Sequence, residues 1–318
     1  MNLKGYVSPL IVTQRFTQRS IMALLLTLWP TKTVDRIFRT HQVFQKRLSS
    51  SKRWQARQLK DHFNREAAVQ GLKSRAAFKL LQIDEKHRLF KKGQTVVDLG
   101  YAPGSWSQVA LTRTQPNGRV LGVDIIPSQP PKGVSTIQGN FLDPEVQAYV
   151  REFVRDPRRG RPRYIDSQEG IATSIVDANS GDSLFNGDTD TQRTVDIVLS
   201  DMCAPWVQTT GFWKRSLSNP HNRMMNTSGV AFRDHAGSMD LCRAALEFSY
   251  EVLKNGGHFV CKFYQGAEDK DLEKQLKTLF HKVHRLKPES SRSESKEAFF
   301  IGLNRKPRTT KQEIFTAP

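Results

Sequence analysis

The segment Thr95-Val96-Val97-Asp98-Leu99-Gly100-Tyr101-Ala102-Pro103-Gly104 decides the fold class of this 318-residue chain. Its apolar first half predicts a short buried strand, and the glycines of its second half predict a tight turn. A helical pattern follows directly, over residues 105–113. A strand, a glycine-containing turn and a helix in this order form the ligand-binding unit of many open α/β sheets.

Outward from this unit the chain alternates between strand and helix patterns. Strands are predicted over residues 95–99, 119–124, 135–138, 194–200 and 258–263, and near 283–287 and 297–303. Helices are predicted over residues 73–88, 105–113, 235–254 and 269–280, and after the capping pair Asp143-Pro144. We therefore expect an α/β fold with a mostly parallel seven-stranded sheet, helices on both faces and an antiparallel pair at the C-terminal edge.

This alternation predicts one globular domain over residues 60–306, followed by a tail at 307–318. Two stretches interrupt it. Residues 156–193 combine Arg, Pro, Gly, Asp and Ser without periodicity, which predicts a surface insertion that is partly disordered. Residues 203–233 follow the carboxyl end of a predicted strand, where open α/β sheets bind ligands, and we interpret them as a substrate-side loop. The alternative for this second stretch is a mobile loop without a role.

The first 50 residues form a basic leader. Much of the net charge of +18 lies here, because residues 1–60 hold twelve Lys or Arg side chains and one acid, Asp35. An N-terminal segment rich in Arg and Ser and poor in acids is typical of a mitochondrial transit peptide, so we expect location in the matrix. The apolar run at residues 21–29 is shorter than a bilayer span, and no membrane span is expected. A basic RNA-binding arm is the alternative interpretation.

Acidic residues end the first two predicted strands. The turn after Asp98 is not Gly-x-Gly-x-x-Gly, and the chain lacks the Gly-x-x-x-x-Gly-Lys pattern of phosphate-binding loops. Asp98 instead suits a cationic ligand such as the methionine end of S-adenosylmethionine, and Asp124 is placed to hydrogen-bond a ribose diol. After the third strand, Asn140 and Phe141 are candidates for contacts with adenine. The alternative is a tight turn with a buried capping carboxylate.

Four charged residues in chemically suggestive contexts form a candidate catalytic tetrad: Lys79, Asp201, Lys262 and Glu297. Removal of a proton from a weakly acidic ribose hydroxyl is work for a neutral lysine, and burial or a nearby like charge lowers the pKa of a lysine. The apolar neighbours of Lys262 favour burial, and Lys79 is expected to lower the pKa of Lys262 further. The two acids are expected to orient the lysines. The alternative is four unrelated surface charges.

Together these residues resemble the FtsJ/RrmJ family of S-adenosylmethionine-dependent 2′-O-ribose RNA methyltransferases. The resemblance covers residues 65–305 and is carried by residues 74–80, 98–109, 122–127, 139–143, 200–205, 259–266 and 291–302. It implies a Rossmann-like methyltransferase fold with Lys262 as general base, supported by the other three tetrad residues. The predicted cofactor contacts are Asp98, Gly100, Ala102, Pro103, Gly104, Ser105, Trp106, Asp124, Asn140, Phe141 and Asp201. Asn140 departs from the acid of bacterial members, which leaves its adenine contact open.

The resemblance and the leader together imply an RNA partner, namely a uridine of mitochondrial large-subunit rRNA, free or in a precursor particle. Basic residues predicted to flank the site are Lys73, Arg75, Lys214, Arg215, Arg223, Arg233, Arg285, Lys287 and Arg292. Trp206, Phe212 and Trp213 are candidates either for stacking on an unpaired base or for the core of the loop.

The cysteines, Cys203, Cys242 and Cys261, are too widely spaced to predict a metal site. We expect a monomer without metal that supports ribosome biogenesis. Two other functions remain open from the sequence. One is an rRNA-binding assembly factor whose catalysis is dispensable, and the other is a tRNA 2′-O-methyltransferase.

Overall fold

The computed structural model describes residues 61–161, 193–207 and 224–315. Its helices are α1 His62–Val69, α2 Ala76–His87, α3 Ser105–Thr114, α4 Pro144–Arg155, α5 Ala231–Val252, α6 Asp269–Leu279 and α7 Lys311–Phe315. Its strands are β1 Thr95–Leu99, β2 Arg119–Asp124, β3 Ser135–Gln138, β4 Val195–Ser200, β5 Trp206–Val207, β6 Met224–Met225, β7 Leu253–Tyr264, β8 Phe280–Leu286 and β9 Glu297–Arg305. The basic leader lies outside the described residues.

Seven of these strands form one sheet in the order β3-β2-β1-β4-β7-β9-β8. The five strands from β3 to β7 run parallel to their neighbours. The strand β9 runs antiparallel to both β7 and β8. The predicted mostly parallel seven-stranded sheet with an antiparallel C-terminal edge is therefore confirmed.

The sheet carries helices on both faces, as predicted. One face packs against α4, α5, α6 and α7, and Phe248 of α5 lies fully buried in that core. The other face packs against α2 and α3, where Leu80 and Trp106 are buried. Alternate residues of β1 divide between the two cores, with Val96 on the second face and Val97 on the first. Every residue of β1 is buried, as expected for a central strand of a parallel sheet.

The largest boundary error concerns α5 and β7. The helix begins at Ala231 rather than at 235, because the side chain of Asp234 in its first turn accepts the backbone N–H of Ser228. The predicted helix extends to 254, but β7 already begins at Leu253 and includes Asn255-Gly256-Gly257. The pairing of β7 with β4 is irregular at this point, and the buried Arg305 of β9 donates a hydrogen bond of 2.9 Å to the Asn255 side chain.

The tail at 307–318 is part of the fold as far as residue 315. It forms α7, and Ile314 of α7 is fully buried in the core of the first face. The backbone N–H of Lys306 donates to Leu279 O over 2.9 Å, which joins the end of the last strand to α6. The sequence also gave no prediction for α1, which is capped by the side chain of Asp61.

Replacing Ile314 by Ala is expected to lower the free energy of unfolding by about 2–5 kcal/mol, the usual cost of truncating a buried aliphatic side chain. Urea denaturation of the purified protein measures this loss. The control is Lys311→Ala on the same helix, which removes a half-exposed ion pair with Glu247 and costs at most about 1 kcal/mol. Equal denaturation midpoints for the Ile314 variant and wild type would show that α7 contributes nothing to the core.

The two interrupting stretches are described only at their ends. Residues 156–161 pack against the starts of the strands, where Arg119 donates to Arg159 O and Arg161 donates to Gly93 O. Residues 162–192 lie outside the described residues, so the predicted partial disorder of the insertion stays a prediction. In the second stretch, β5 and β6 pair antiparallel, and residues 208–223, with Phe212 and Trp213, lie outside the described part.

Candidate active site

The carboxyl ends of the parallel strands bring acidic side chains to one edge of the sheet. Asp98 lies on β1, Asp124 ends β2, and Asp201 follows β4 directly. The backbone N–H of Asp201 donates to Leu99 O over 3.1 Å, so the segment after β4 stays beside β1. Neighbouring parallel strands therefore gather residues that are far apart in sequence, as the sequence predicts for this fold.

The turn after β1 is shaped by two glycines with positive φ. Gly100 has a φ of 78°, and a Cβ atom there would lie 2.8 Å from the Cα of Met202. Gly104 has a φ of 104°, and a Cβ atom there would lie 2.8 Å from the side chain of Pro131. Both glycines thus permit backbone conformations and close approaches that other residues resist. The result is an open backbone turn at the start of α3.

Asp124 holds this turn in place. One carboxylate oxygen of Asp124 accepts the backbone N–H of Ala102, and the other accepts that of Ile126, both over 2.9 Å. Each oxygen keeps a further lone pair with which it can accept a hydroxyl. Asp124 therefore suits both the structural role seen here and the predicted contact with a ribose diol, which stays a prediction.

Asp98 is a buried acid, and one of its two carboxylate oxygens accepts no hydrogen bond from the described residues. Its Oδ2 accepts a hydrogen bond of 2.6 Å from the Ser107 hydroxyl, while no described donor reaches its Oδ1. Burial raises the pKa of Asp98 to about 7, with the charges of Asp201 and Asp124 adding to the rise and Ser107 opposing it. A buried carboxylate without a full set of donors favours binding of a cation or a hydrogen-bond donor.

The remaining predicted cofactor residues fall into three groups. Ala102, Pro103 and Ser105 lie in the turn or at the start of α3, and the Ser105 hydroxyl is 2.7 Å from that of Ser74. The side chains of two predicted contacts instead point into the protein.

These two side chains are Trp106 and Phe141. The indole N–H of Trp106 donates to Ala76 O over 2.9 Å, and Phe141 packs edge-on against Phe248. Asn140 is exposed and accepts the backbone N–H of Leu142. Cofactor contacts by these three residues stay predictions, and for the two aromatic residues they would involve backbone atoms.

Lys262 of β7 is nearly buried and has three acceptors. Its ammonium lies 2.9 Å from Asp201 Oδ1, 2.7 Å from Asp201 O and 2.7 Å from Cys203 Sγ. Burial lowers the pKa of Lys262, but Asp201, Cys203 and Tyr264 together raise it well above its ordinary value. The expectation of a lowered pKa for Lys262 is therefore wrong in this structure, because the acceptors outweigh the burial.

Lys79 of α2 pairs with Glu297, the first residue of β9, rather than approaching Lys262. Lys79 Nζ and Glu297 Oε1 are 2.7 Å apart, and both side chains are largely buried. Burial raises the pKa of Glu297, but Lys79 and, more weakly, Lys262 outweigh burial and lower it. The four tetrad residues thus form two ion pairs, Lys262–Asp201 and Lys79–Glu297, which influence each other electrostatically.

Two residues of this cluster were not singled out from the sequence as part of the site. Tyr264 lies opposite Glu297 in the pairing of β7 with β9, and its hydroxyl approaches Asn226 O at 3.4 Å. Burial and the charges of Cys203, Glu297 and Asp201 raise the pKa of Tyr264, against the opposing effect of Lys262. Cys203 is partly exposed and contacts Lys262. Tyr264 could have been found from its position two residues after Lys262, because side chains two residues apart on a strand lie on the same face.

Segment 71–76, which leads into α2, is tied to α3. Ser74 contacts Ser105, as described above, and Gln108 accepts the Lys73 backbone N–H over 3.0 Å and donates to Gly71 O over 2.9 Å. The helix that carries Lys79 and the glycine turn therefore form one hydrogen-bonded unit. Their relative position is fixed before either contacts a ligand.

Several predicted RNA contacts already have protein partners. Arg75 and Arg292 both approach Asp61, Arg285 lies 3.0 Å from Asp269, and Lys287 donates to the carbonyls of Ser293 and Ser295. Arg233 lies exposed at the start of α5. Lys214, Arg215 and Arg223 lie outside the described residues. The role of this basic set in RNA binding stays a prediction.

Two features are absent from residues 61–161, 193–207 and 224–315. None of the helices there is long and apolar enough to cross a membrane. The same ranges contain no group of three or more His, Cys, Asp or Glu side chains arranged to hold a metal ion.

Comparison with known proteins gives consistent similarities. Residues 72–305 match the family of FtsJ-like methyltransferases. The chain is 43% identical to the mitochondrial rRNA methyltransferase 2 of Saccharomyces cerevisiae, over 84% of this chain and 92% of that protein. It is 35% identical to the ribosomal RNA large subunit methyltransferase E of Rhizobium meliloti, over 82% of this chain and 84% of that protein. A crystal structure of a putative ribosomal RNA methyltransferase from Plasmodium falciparum superposes with a TM-score of 0.51 at 25% identity, covering 74% of this chain and 99% of the other.

Proposed function

The chain belongs to the FtsJ-like methyltransferase family, and we propose that it transfers a methyl group from S-adenosylmethionine to the ribose 2′-hydroxyl of a uridine in mitochondrial large-subunit rRNA. The observation that carries this proposal is the position of two buried lysine–carboxylate pairs and a glycine turn with an underused acid at one end of the sheet. The proposed place of action is the mitochondrial matrix, in support of ribosome biogenesis.

The residues of the turn fit S-adenosylmethionine. Asp98 has a buried oxygen without a donor, which suits the positive charge of the methionine end. The missing Cβ atoms at Gly100 and Gly104 let backbone atoms approach a ligand closely. The carboxylate of Asp124, at the end of β2, is proposed to accept the ribose hydroxyls. When bound, S-adenosylmethionine supplies an electrophilic methyl group.

The tetrad residues are proposed to handle the proton of the target hydroxyl. Lys262, once neutral, takes this proton, and Asp201 orients the lysine through the contact at 2.9 Å. Lys79, held by Glu297, stabilises the negative charge that develops on the ribose oxygen. The lysine ammonium of each pair is anchored by a carboxylate, so the site needs little rearrangement during transfer.

The substrate proposal comes from the relatives. The yeast relative is named for mitochondrial rRNA, and the bacterial relative is named for the large ribosomal subunit. The basic leader of this chain agrees with a mitochondrial location. These three observations favour large-subunit rRNA over tRNA and favour an enzyme over an assembly factor without catalysis.

A nucleotide-resolution map of 2′-O-methylation in mitochondrial and cytosolic RNA tests the proposed function. Cells without this chain are expected to lose one methyl group in mitochondrial large-subunit rRNA. Wild-type protein is expected to restore it, whereas Lys262→Ala at equal abundance is not. Persistence of every methyl group would refute the enzymatic proposal, and loss of a tRNA methyl group instead would refute the proposed substrate.

A further inference from the structure

Cys203 contacts the lysine on which the proposed reaction depends. It lies two residues after Asp201, and its sulfur is 2.7 Å from Lys262 Nζ. Among the three cysteines it alone is partly exposed, since Cys242 and Cys261 are buried. Any role in proton transfer rests on the proposed function, because Lys262 is a general base only in that function.

The hydrogen bonds of Lys262 create a difficulty for that role. Lys262 donates hydrogen bonds to Asp201 O and Cys203 Sγ, and Asp201 Oδ1 lies 2.9 Å from the ammonium as its ion-pair partner. An ammonium has no lone pair with which to take a proton. One of its own protons has to leave before Lys262 acts as a base.

The three acceptors differ in their ability to receive that proton. A backbone carbonyl such as Asp201 O is not basic, and a carboxylate has an ordinary pKa near 4, far below that of a lysine. A thiolate has an ordinary pKa near 8.5, the nearest of the three to that of a lysine, although the contacts of Lys262 raise its pKa well above the ordinary lysine value. Of the three groups, the sulfur of Cys203 is therefore the strongest base within reach of the ammonium.

We propose that Cys203 is the proton acceptor of Lys262 and converts this lysine into the neutral base that the methyl transfer needs. The starting pair is a thiolate beside an ammonium. One proton moves along the contact at 2.7 Å from Nζ to Sγ and leaves a thiol beside an amine, with no change in the net charge of the pair.

The amine of Lys262 takes the proton of the ribose hydroxyl as the ribose oxygen bonds to the methyl carbon. The bond between that carbon and the donor sulfur breaks, and its electron pair stays on the donor sulfur. The pair then holds one extra proton, which leaves to solvent from the partly exposed Cys203, and this regenerates the thiolate and the ammonium.

Other ionisable groups surround the pair of Cys203 and Lys262, and their charges also influence how the reaction rate depends on pH. Asp201 comes from the segment after β4, Tyr264 from β7 itself, and Glu297 from β9. Lys79 from α2 is paired with Glu297. These four residues are all retained in a Cys203 variant. A difference in pH profile between the variant and wild type therefore reports on the contact between Cys203 Sγ and Lys262 Nζ.

Cys203→Ser and Cys203→Ala separate a proton acceptor from a simple hydrogen-bond partner. Serine keeps an acceptor oxygen but is far too weak an acid to shuttle the proton. With saturating S-adenosylmethionine and rRNA, the single-turnover rate of either variant at pH 7.5 is expected to fall by about 10²-fold, a usual loss for a proton-transfer group. The KM for RNA is expected to change less than about threefold, because Cys203 acts on the base.

The pH dependence gives the sharper readout. The wild-type rate is expected to rise with pH and then level off once the pair has lost one proton. In both variants Lys262 has to lose its proton directly to solvent, so their rates are expected to keep rising through about pH 10 and to recover part of the loss there. Cys242→Ser is the matched control, because that buried thiol donates to the backbone O of Lys262 and not to its amine.

The possible failures are distinguishable. A serine variant with the wild-type rate and pH profile would reduce Cys203 to a hydrogen-bond acceptor or to no role, and would overturn the inference. Equal losses at every pH, with no recovery in alkaline solution, would also overturn it. If the wild-type protein transferred no methyl group to rRNA at any pH, the proposed function itself would fail.

Discussion

Replacing Lys262 by Met is expected to abolish methyl transfer while the protein keeps its fold and its affinity for the methyl donor. Methionine keeps the length and apolar character of the buried lysine stem but has no basic atom. The rate is expected to fall by at least about 10³-fold, within the range for loss of a general base. The Asp201 side chain is partly exposed although its Oδ1 is buried, so part of the carboxylate stays in contact with water after the ammonium is gone.

Single-turnover transfer to rRNA measures the loss, and calorimetric titration with S-adenosylmethionine measures the retained affinity. Lys254→Met is the matched control, because Lys254 lies on the same strand but is exposed and pairs with Asp196 over 3.0 Å. That control is expected to keep the wild-type rate. A Lys262 variant that retained more than a tenth of the wild-type rate would assign the base to another residue.

Replacing Asp98 by Asn is expected to weaken binding of the methyl donor by about 10- to 100-fold and, at pH 8, to stabilise the protein. The first effect follows because a hydrogen bond to a charged group is worth about 1.5–3 kcal/mol. The second follows because burial makes the charged form of Asp98 costly. Asparagine is close in shape and can still accept the hydrogen bond from Ser107.

The pH dependence of stability has a definite sign. In the folded protein the pKa of Asp98 is about 7, against an ordinary value of 3.8. Between these values the folded state holds a proton that the unfolded chain has released, so stability falls as pH rises from about 4 to about 7. Above pH 7 the penalty is constant and amounts to at most about 4 kcal/mol, since one pKa unit corresponds to about 1.4 kcal/mol.

Urea denaturation at pH 5 and pH 8 measures this difference, and Asp98→Asn is expected to gain stability only at the higher pH. Wild type is also expected to lose affinity for S-adenosylmethionine below pH 7, whereas the variant has a low affinity that does not change with pH. Asp143→Asn is the control, because asparagine caps a helix as well as aspartate does. Unchanged donor affinity in the Asp98 variant would refute the assignment.

The sheet was predictable because its signals are local. The strand at 95–99, the turn that follows it and the alternation after it each depend on neighbouring residues. The continuous helical period over 235–254 did not reveal that α5 begins at Ala231, since its start depends on the contact of Asp234 with Ser228. Helix α7 was missed because five residues with one buried Ile314 give too short a pattern.

The sequence identified the tetrad residues of the site but not the direction in which the pKa of Lys262 is shifted. The sequence identified Lys262 and Asp201, and their contact follows from the neighbouring strands β4 and β7. The sign of the pKa shift of Lys262 depends first on the charge of Asp201 and then on Cys203 and Tyr264. Asp201 and Cys203 reach the ammonium only through the turn after β4. Tertiary geometry of this kind leaves no pattern in the sequence, and the apolar neighbours of Lys262 alone favoured the opposite shift.

The antiparallel direction of β9 places the first residue of the last strand, Glu297, beside the ends of strands made much earlier. A ribosome therefore completes the glycine turn, Lys79 and Lys262 before it adds the carboxylate that holds Lys79. A chain that is interrupted or clipped before residue 297 lacks β9, which pairs with both β7 and β8, and leaves Lys79 without its counter-charge. The Lys79–Glu297 ion pair, and with it the proposed stabilisation of the ribose oxygen, therefore forms only after the final strand of the sheet has been synthesised.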